Sequence, residues 1–318
     1  MRSDERFPVL VDSQPPRPVD SQPPRGAPLA AAEGIVRRAR RPEAWVAPGP
    51  PPRGGEGHAE LAPGPGEDLC YLAGDWRILQ RLDGHRWSLD DLVTAWVAAG
   101  LCRATPPGRV ADLGCGIGTV LMLIAWRFPG ARCVGVEAQA LSVDLARRSL
   151  AWNGADDRCE VRAGDLRDPG VLPEGAVFDL VTATPPYLRP GTAVESRRAQ
   201  CGPCRLEQRG GIEAYCAAAA RLLAPGARFV TCAAAAQAAR VEAAARATGL
   251  AVERRLDVIP REGKLALFSV YAMRRGDGDG AAELWGTARA APRLVVRDRA
   301  GARTAAFQSL RREMGMPP

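Results

Sequence analysis

Lysine is almost missing from this chain. Lys264 is the single lysine among 43 basic residues, and all the others are arginine. The formal net charge of +7 is compatible with a nucleic-acid partner. Abundant alanine, glycine and proline accompany the arginine, so part of that charge reflects a compositional bias of the whole chain. Histidine is nearly as scarce. With only His58 and His85 available, a histidine-based metal site is not expected. No apolar run approaches the roughly 18–20 residues of a membrane-spanning helix, and Met1 opens a polar stretch in place of a signal peptide. The expectation is a soluble, cytoplasmic chain with no membrane partner and, by default, a monomer. The nine cysteines are odd in number and scattered, which fits buried thiols in a reducing compartment better than a disulfide framework.

What is present falls into three parts. Residues 1–65 are rich in proline, glycine, arginine and alanine, and carry a tandem repeat, Val11-Asp12-Ser13-Gln14-Pro15-Pro16-Arg17-Pro18 followed by Val19-Asp20-Ser21-Gln22-Pro23-Pro24-Arg25-Gly26. Such a segment buries too little apolar surface to offset its ordering entropy, so disorder is expected, with a short helix near Ala30–Arg40. Residues 66–275 alternate short apolar runs with longer amphipathic stretches. Ser88 caps a helix with Asp91 as the capping-box acid. Strands are expected over Arg109–Leu113, Cys133–Glu137, Cys159–Ala163, Val177–Ala183, Ala227–Cys232, Ala251–Val258 and Leu265–Met273. Helices are expected over Thr119–Phe128, Ala138–Trp152, Ile212–Leu223 and Ala235–Thr248. This alternation predicts an α/β fold, a Rossmann-like sheet of seven strands with helices on both faces and ligands at the carboxyl ends of the strands. Residues 276–318 read as a linker and a small appendage, with a strand near Leu294–Asp298 and a helix near Thr304–Glu313.

Strand, glycine loop, helix, then an acid ending the next strand: that order carries the functional reading. Gly114, Gly116 and Gly118 follow the first α/β strand directly, where glycine allows a sharp turn and close backbone approach to a ligand. Asp112 precedes the loop. Glu137 ends the next strand, where a carboxylate can accept bonds from ribose hydroxyls. A dinucleotide fingerprint is Gly-x-Gly-x-x-Gly, suited to a pyrophosphate. The Gly-x-Gly-x-Gly spacing with Asp112 beside it suits a sulfonium amino acid better, so S-adenosylmethionine is the expected cofactor, and Asp165 after the third strand is placed to take the adenine amine.

The fourth of these strands runs out into Thr184-Pro185-Pro186-Tyr187. Prolines stiffen the backbone and cannot donate, leaving preceding carbonyls free to accept. The segment resembles the strand exit Asn/Asp/Ser-Pro-Pro-Tyr/Phe of amino-methyltransferases, which act on planar nitrogens. The resemblance implies that Thr184 and the Pro185 carbonyl accept the two protons of an exocyclic amine while Tyr187 stacks on the acceptor, a catalysis of positioning and local electrostatics. Thr184 departs from the pattern, since its hydroxyl is a shorter and weaker acceptor than a carboxamide. Upstream, Gln80-Arg81-Leu82-Asp83-Gly84-His85-Arg86-Trp87-Ser88-Leu89-Asp90 is similar to the segment preceding the glycine strand in bacterial tRNA(Val) adenine-N6 methyltransferases, a family of the methyltransferase small domain. Pro260-Arg261-Glu262-Gly263-Lys264 resembles that family's basic turn. The likeness spans about Asp68–Arg275. It implies that Arg86 and Asp90 lie beside the cofactor and that the substrate is RNA, tRNA above all.

Other readings stay open within the same motifs: a protein glutamine or small-molecule methyltransferase, or a module that keeps the fold and has lost activity through Thr184. Cys201 and Cys204 have the spacing of a redox pair but fall in a long loop after the fourth strand, and are taken as incidental. Arg197, Arg198, Arg205 and Arg209 in that loop could meet phosphates.

Overall fold

The computed structural model describes residues 33–38, 40–189, 191, 200, 204, 206–276 and 291–317. The tandem repeat, Cys201 and the loop arginines Arg197, Arg198 and Arg205 lie outside the described residues.

The first elements form a small sheet of three strands, β1 (Ile35–Val36), β2 (Glu67–Tyr71) and β3 (Arg77–Arg81), with β1 parallel and β3 antiparallel to β2. Helix α1 (Leu89–Leu101) follows, opened by the expected capping box in which the Ser88 amide donates to Asp91 Oδ2 at 3.0 Å. Then come β4 (Arg109–Leu113), α2 (Thr119–Arg127), β5 (Arg132–Glu137), α3 (Ala140–Asn153), β6 (Cys159–Ala163) and β7 (Phe178–Ala183). The second half holds α4 (Ile212–Leu222), β8 (Leu223–Ala234), α5 (Ala238–Ala247), β9 (Leu250–Ile259), β10 (Phe268–Arg275), β11 (Arg293–Val295) and α6 (Ala305–Glu313).

Strands β4 to β11 make one sheet in the order β11-β9-β10-β8-β7-β4-β5-β6. Strands β4 to β8 run parallel, and β10 lies antiparallel to both β8 and β9. The seven expected strands are present, and the carboxy-terminal strand adds an eighth by pairing parallel to β9. Apolar residues fill both faces. One core joins α1, α2 and α3 to the sheet, and the other packs α4 and α5 on the opposite face. Helix α2 is buried from Thr119 through Trp126, which explains a run with no polar face. Helix α3 stops where Gly154 takes φ +67°, with the Ala155 amide bonded to the Leu150 carbonyl at 2.9 Å. The chain leaves β4 toward β5 and β6, then returns to β7 on the other side of β4. The crevice at that reversal is where ligands bind in open α/β sheets.

Two expectations need correcting at the amino-terminal side. A helix near Ala30–Arg40 does not form at Ile35–Val36, which is strand. The segment assigned to disorder up to residue 65 packs against the domain from Gly34 onward. The Arg37 amide donates to the Leu69 carbonyl at 3.0 Å and the Gly54 amide to the Trp152 carbonyl at 2.9 Å. Gly49 sits so close to the Trp126 indole that a Cβ would come within 2.4 Å of its nitrogen. Glycine here supplies close approach, and backbone contact replaces the apolar side chains that the composition lacks.

Candidate active site

A cavity of about 730 Å³ opens at the carboxyl ends of β4, β5, β6 and β7. Its floor is the loop after β4. Gly114, Gly116 and Gly118 all adopt positive φ, at +63°, +56° and +85°, so three successive left-handed glycines turn the strand into α2. Gly114 and Gly116 line the cavity. A Cβ on Gly114 would lie 2.5 Å from the Tyr215 hydroxyl, whereas one on Gly116 would meet only open space. Gly118 is the amino-terminal cap of α2 and shapes the loop without lining the cavity.

The acids separate into those that face the cavity and one that does not. Glu137 faces it, buried, with Oε2 accepting from the Gly116 amide at 3.0 Å and Oε1 from the Gln139 amide at 2.6 Å. Burial pushes its pKa above the usual carboxylate range against the pull of those amides. Asp112, expected to favour a cationic ligand directly, is turned away. Its Oδ1 accepts from Thr182 Oγ1 at 2.8 Å and its Oδ2 from the Leu121 amide at 3.1 Å, so it ties β4 to β7 and to the first turn of α2. Burial raises its pKa to about 7. Asp165 lines the cavity, but Arg167 grips both its oxygens, with Nε at 2.9 Å from Oδ1 and Nη2 at 2.6 Å from Oδ2. That contact holds its pKa below the usual value, and an adenine amine would have to share the carboxylate with the arginine.

Thr184, Pro185, Pro186 and Tyr187 line the same cavity as the glycine loop. The Tyr187 hydroxyl donates to Asp90 Oδ2 at 2.9 Å and lies 3.0 Å from Cys232 Sγ. Asp90 therefore anchors the ring that was expected to stack on the acceptor, and its other oxygen accepts from the Ser88 hydroxyl. Arg86 lines the cavity too, yet its guanidinium forms a two-pronged pair with Asp68, with Nη1 and Nη2 each at 3.0 Å. The role beside a cofactor that the resemblance implies for it is thus shared with a structural one.

Three further residues belong to the cavity. Asp91 was read only as a capping acid, and the capping signal masked its second position: it also lines the cavity. Burial and the neighbouring Asp90 raise its pKa to about 8, opposed by hydrogen bonds from the Ser88 amide and the Thr184 hydroxyl. Tyr215 reaches the glycine loop from α4, and Cys204 accepts from Gln139 Nε2 at 3.5 Å. Tyr215 carries no motif that could have marked it, because it is brought in by packing across the sheet. Arg209, of the loop arginines, also lines the cavity. Among the described residues no cluster of histidine, cysteine, aspartate or glutamate could hold a metal ion, and no helix is long and apolar enough to cross a membrane.

Residues 91–202 match the family model of the methyltransferase small domain. The chain is 29% identical over 140 residues to the tRNA1(Val) (adenine(37)-N6)-methyltransferase of Porphyromonas gingivalis, a stretch covering 43% of this chain and 54% of that protein. It is 33% identical over 135 residues to the release factor glutamine methyltransferase of Chlorobaculum tepidum, covering 39% and 46% of the two chains. The chain thus spans about half the length of the curated relatives it matches. Among solved structures, a predicted O-methyltransferase from Agrobacterium tumefaciens superposes with a TM-score of 0.47 at 20% identity, covering 72% of this chain and 98% of that one. Residues 91–202, which hold the glycine loop, Glu137, Asp165 and the Thr184–Tyr187 strand exit, match the model of the methyltransferase small domain, the family that the sequence resembles.

Proposed function

We propose that the chain is an S-adenosylmethionine-dependent methyltransferase acting on an exocyclic adenine amine, N6, in RNA, with tRNA the favoured substrate. The observation that carries the reading is that one cavity is lined both by the glycine loop with Glu137 and by Thr184-Pro185-Pro186-Tyr187. The cavity suits the cofactor in size and in charge. Four acidic residues line it, Asp90, Asp91, Glu137 and Asp165, with two arginines, Arg86 and Arg209. Asp91 is largely protonated at neutral pH, Asp165 is paired with Arg167 and Arg86 with Asp68. That leaves Asp90 and Glu137 set against Arg209, a balance that still favours a cationic ligand. Gly114 and Gly116 would hold the amino-acid portion, Glu137 the ribose and Asp165 the adenine. When bound, the cofactor supplies a methyl group made electrophilic by its sulfonium sulfur.

The chain's own task is to present the acceptor nitrogen. An adenine amine is a poor nucleophile because its lone pair is spread into the ring. Accepting its two N–H bonds favours a pyramidal nitrogen with its lone pair free. The Pro185 carbonyl offers one acceptor. The Thr184 hydroxyl would offer the other, its own proton turned toward Asp91, which lines the same cavity. Tyr187, fixed through Asp90, presents a ring to the base. A base drawn from a structured loop has to be unstacked first.

Incubation with labelled S-adenosylmethionine and separate pools of tRNA, rRNA and protein tests the proposal. Label in tRNA, lost in a Glu137→Ala variant that binds cofactor more weakly by calorimetry, is the expected result. Label on protein alone would sink the RNA substrate and favour the glutamine-methylating alternative. A Glu137→Ala variant with unchanged cofactor affinity would count against the site itself.

A further inference from the structure

A second cavity, of about 700 Å³, lies between the amino-terminal segment, the small sheet and the carboxy-terminal tail. Six arginines line it, Arg37, Arg38, Arg40, Arg41, Arg86 and Arg311, and no aspartate or glutamate does. Two buried or half-buried acids behind the wall answer three of them. Asp68 pairs with Arg37 and Arg86, and Asp75 with Arg41. Arg38 and Arg40 make no ion pair among the described residues. Arg311 is the informative one. Among the described residues its half-buried guanidinium donates to the Pro317 carbonyl, 2.9 Å from Nε, and lies 3.8 Å from the Met316 sulfur through Nη1. Desolvation and the nearby positive charge of Arg303 push its pKa down to about 10. A cation held partly out of water near another cation is stabilised by an arriving anion.

The same wall carries the rings of Trp45, Tyr71 and Trp87. Arg41 lies over both Trp45 and Tyr71, at 5.2 and 5.6 Å from the ring centroids. Flat guanidinium groups among aromatic rings are what single-stranded nucleic acid requires: planar, two-pronged donors for phosphate and surfaces on which unpaired bases stack. The two cavities share a wall residue. Arg86 lines both, and Trp87 follows it in the chain.

We infer that this arginine- and aromatic-lined cavity binds the sugar-phosphate segment flanking the target base of an unpaired RNA loop, while the base itself enters the acid-lined cavity on the other side of Arg86. The inference rests on the reading of the chain as acting on RNA. It assigns the work of gripping the strand to residues 35–45 and 311–317, which lie outside the matched residues 91–202.

The test uses a fluorescein-labelled hairpin RNA with an adenine-containing loop, its affinity followed by anisotropy from about 50 to about 200 mM salt. Each phosphate contact on a single strand contributes about 0.7 to the slope of log affinity against log salt. Arg38→Ala/Arg40→Ala, both at exposed positions, is expected to weaken binding by roughly tenfold and flatten the slope by about 1.4. Arg311→Met is expected to flatten it by about 0.7. Arg246→Ala on α5, an exposed arginine remote from the cavity, should change neither. Calorimetry with S-adenosylmethionine on each variant reports that the fold and the first cavity are intact. If the wild type binds the hairpin and the variants bind it equally well with the same slope, the inference falls while the methyltransferase reading stands. If the wild type binds cofactor but no RNA, the RNA substrate falls, and the inference with it. Displacement of the hairpin by poly-glutamate as readily as by unlabelled RNA would also overturn it, since the cavity would then be a general anion site.

Discussion

At the scale of single residues, Thr184 and Asp91 form the chemical unit that sets this strand exit apart from the Asn/Asp/Ser pattern it resembles. A threonine alone is a poor substitute for a carboxamide. With its proton turned toward Asp91, its oxygen would be a better acceptor. Thr184→Val removes that acceptor and is expected to lower turnover by tenfold or more, since a hydrogen bond strengthened only as the nitrogen becomes pyramidal acts on the transition state. Thr184→Asn should restore activity because the carboxamide accepts without help. Asp91, whose pKa burial and Asp90 raise to about 8, accepts from the Thr184 hydroxyl more strongly when ionised than when protonated. Turnover should therefore rise with pH through neutrality and level off above about 8, a rise that the Asp91→Asn variant loses. A pH profile of single-turnover methylation distinguishes these outcomes; a rise unchanged in Asp91→Asn would refute the coupling. Asp112 makes a separate prediction about stability. Its pKa rises from 3.8 in the unfolded chain to about 7 in the fold. Between those values the folded state holds a proton that the unfolded state releases, so stability is lost as pH rises from about 4 to about 7. Asparagine can accept from the Leu121 amide and donate to Thr182, whose hydroxyl can turn toward the Ala111 carbonyl 3.5 Å away. Asp112→Asn should therefore flatten the pH dependence and gain up to about 4 kcal/mol at pH 8. Urea denaturation of both proteins across that range is the check.

At the scale of elements, the segment from residue 34 to 65 is structural covering for the domain. A chain starting at Gly66 would leave the indole of Trp126 without Gly49 and the ring of Trp152 without Gly55. It would also strip Arg37 from Asp68, whose side chain is wholly inaccessible, leaving Arg86 as its remaining ion-pair partner. Uncovering two tryptophans and weakening a buried ion pair costs about 2–4 kcal/mol. A domain of this size should then melt about 4–16 °C lower than a chain starting at Glu33, as a thermal scan of the two would measure. Equal melting temperatures would mean that the segment only rests on the surface. The same segment marks the limit of what the sequence discloses. Strands β4, β5, β6 and β7 were legible to within a residue because parallel strands buried on both faces become short apolar runs. The hairpin of β2 and β3 was not, because Glu67 and Asp68 interrupt its hydrophobic pattern while both are buried. Their charges are answered by Arg148, Arg37 and Arg86, partners that no local pattern connects to them. Burial of Asp112 was hidden for the same reason. It occupies a strand end where an acid normally faces a ligand, and only the distant Thr182 reveals that it faces inward. The glycine loop and the Thr184–Tyr187 exit were legible because their chemistry is local.

At the scale of the whole molecule, the net charge of +7 conceals two cavities of opposite character that share Arg86. The acid-lined one excludes polyphosphate and favours a cation. The arginine-lined one does the reverse. A substrate that must place a neutral base in the first while its backbone stays in the second is held across the boundary, and the boundary itself sets the register. This division predicts that ionic strength will separate the two ligands. Phosphate binding displaces condensed counterions and weakens steeply with salt. A single cation inside a cavity is screened far less, because most of its field does not pass through solvent. Raising salt from about 50 to about 200 mM should therefore raise the KM for an RNA hairpin by about seven- to eighteenfold if two or three phosphates are contacted, while the KM for S-adenosylmethionine moves less than about twofold. Steady-state kinetics with each substrate varied in turn measure both. A steep salt dependence in the cofactor would mean that the two cavities act as one electrostatic site. A flat dependence in the RNA would mean that the arginines serve the fold and not the substrate.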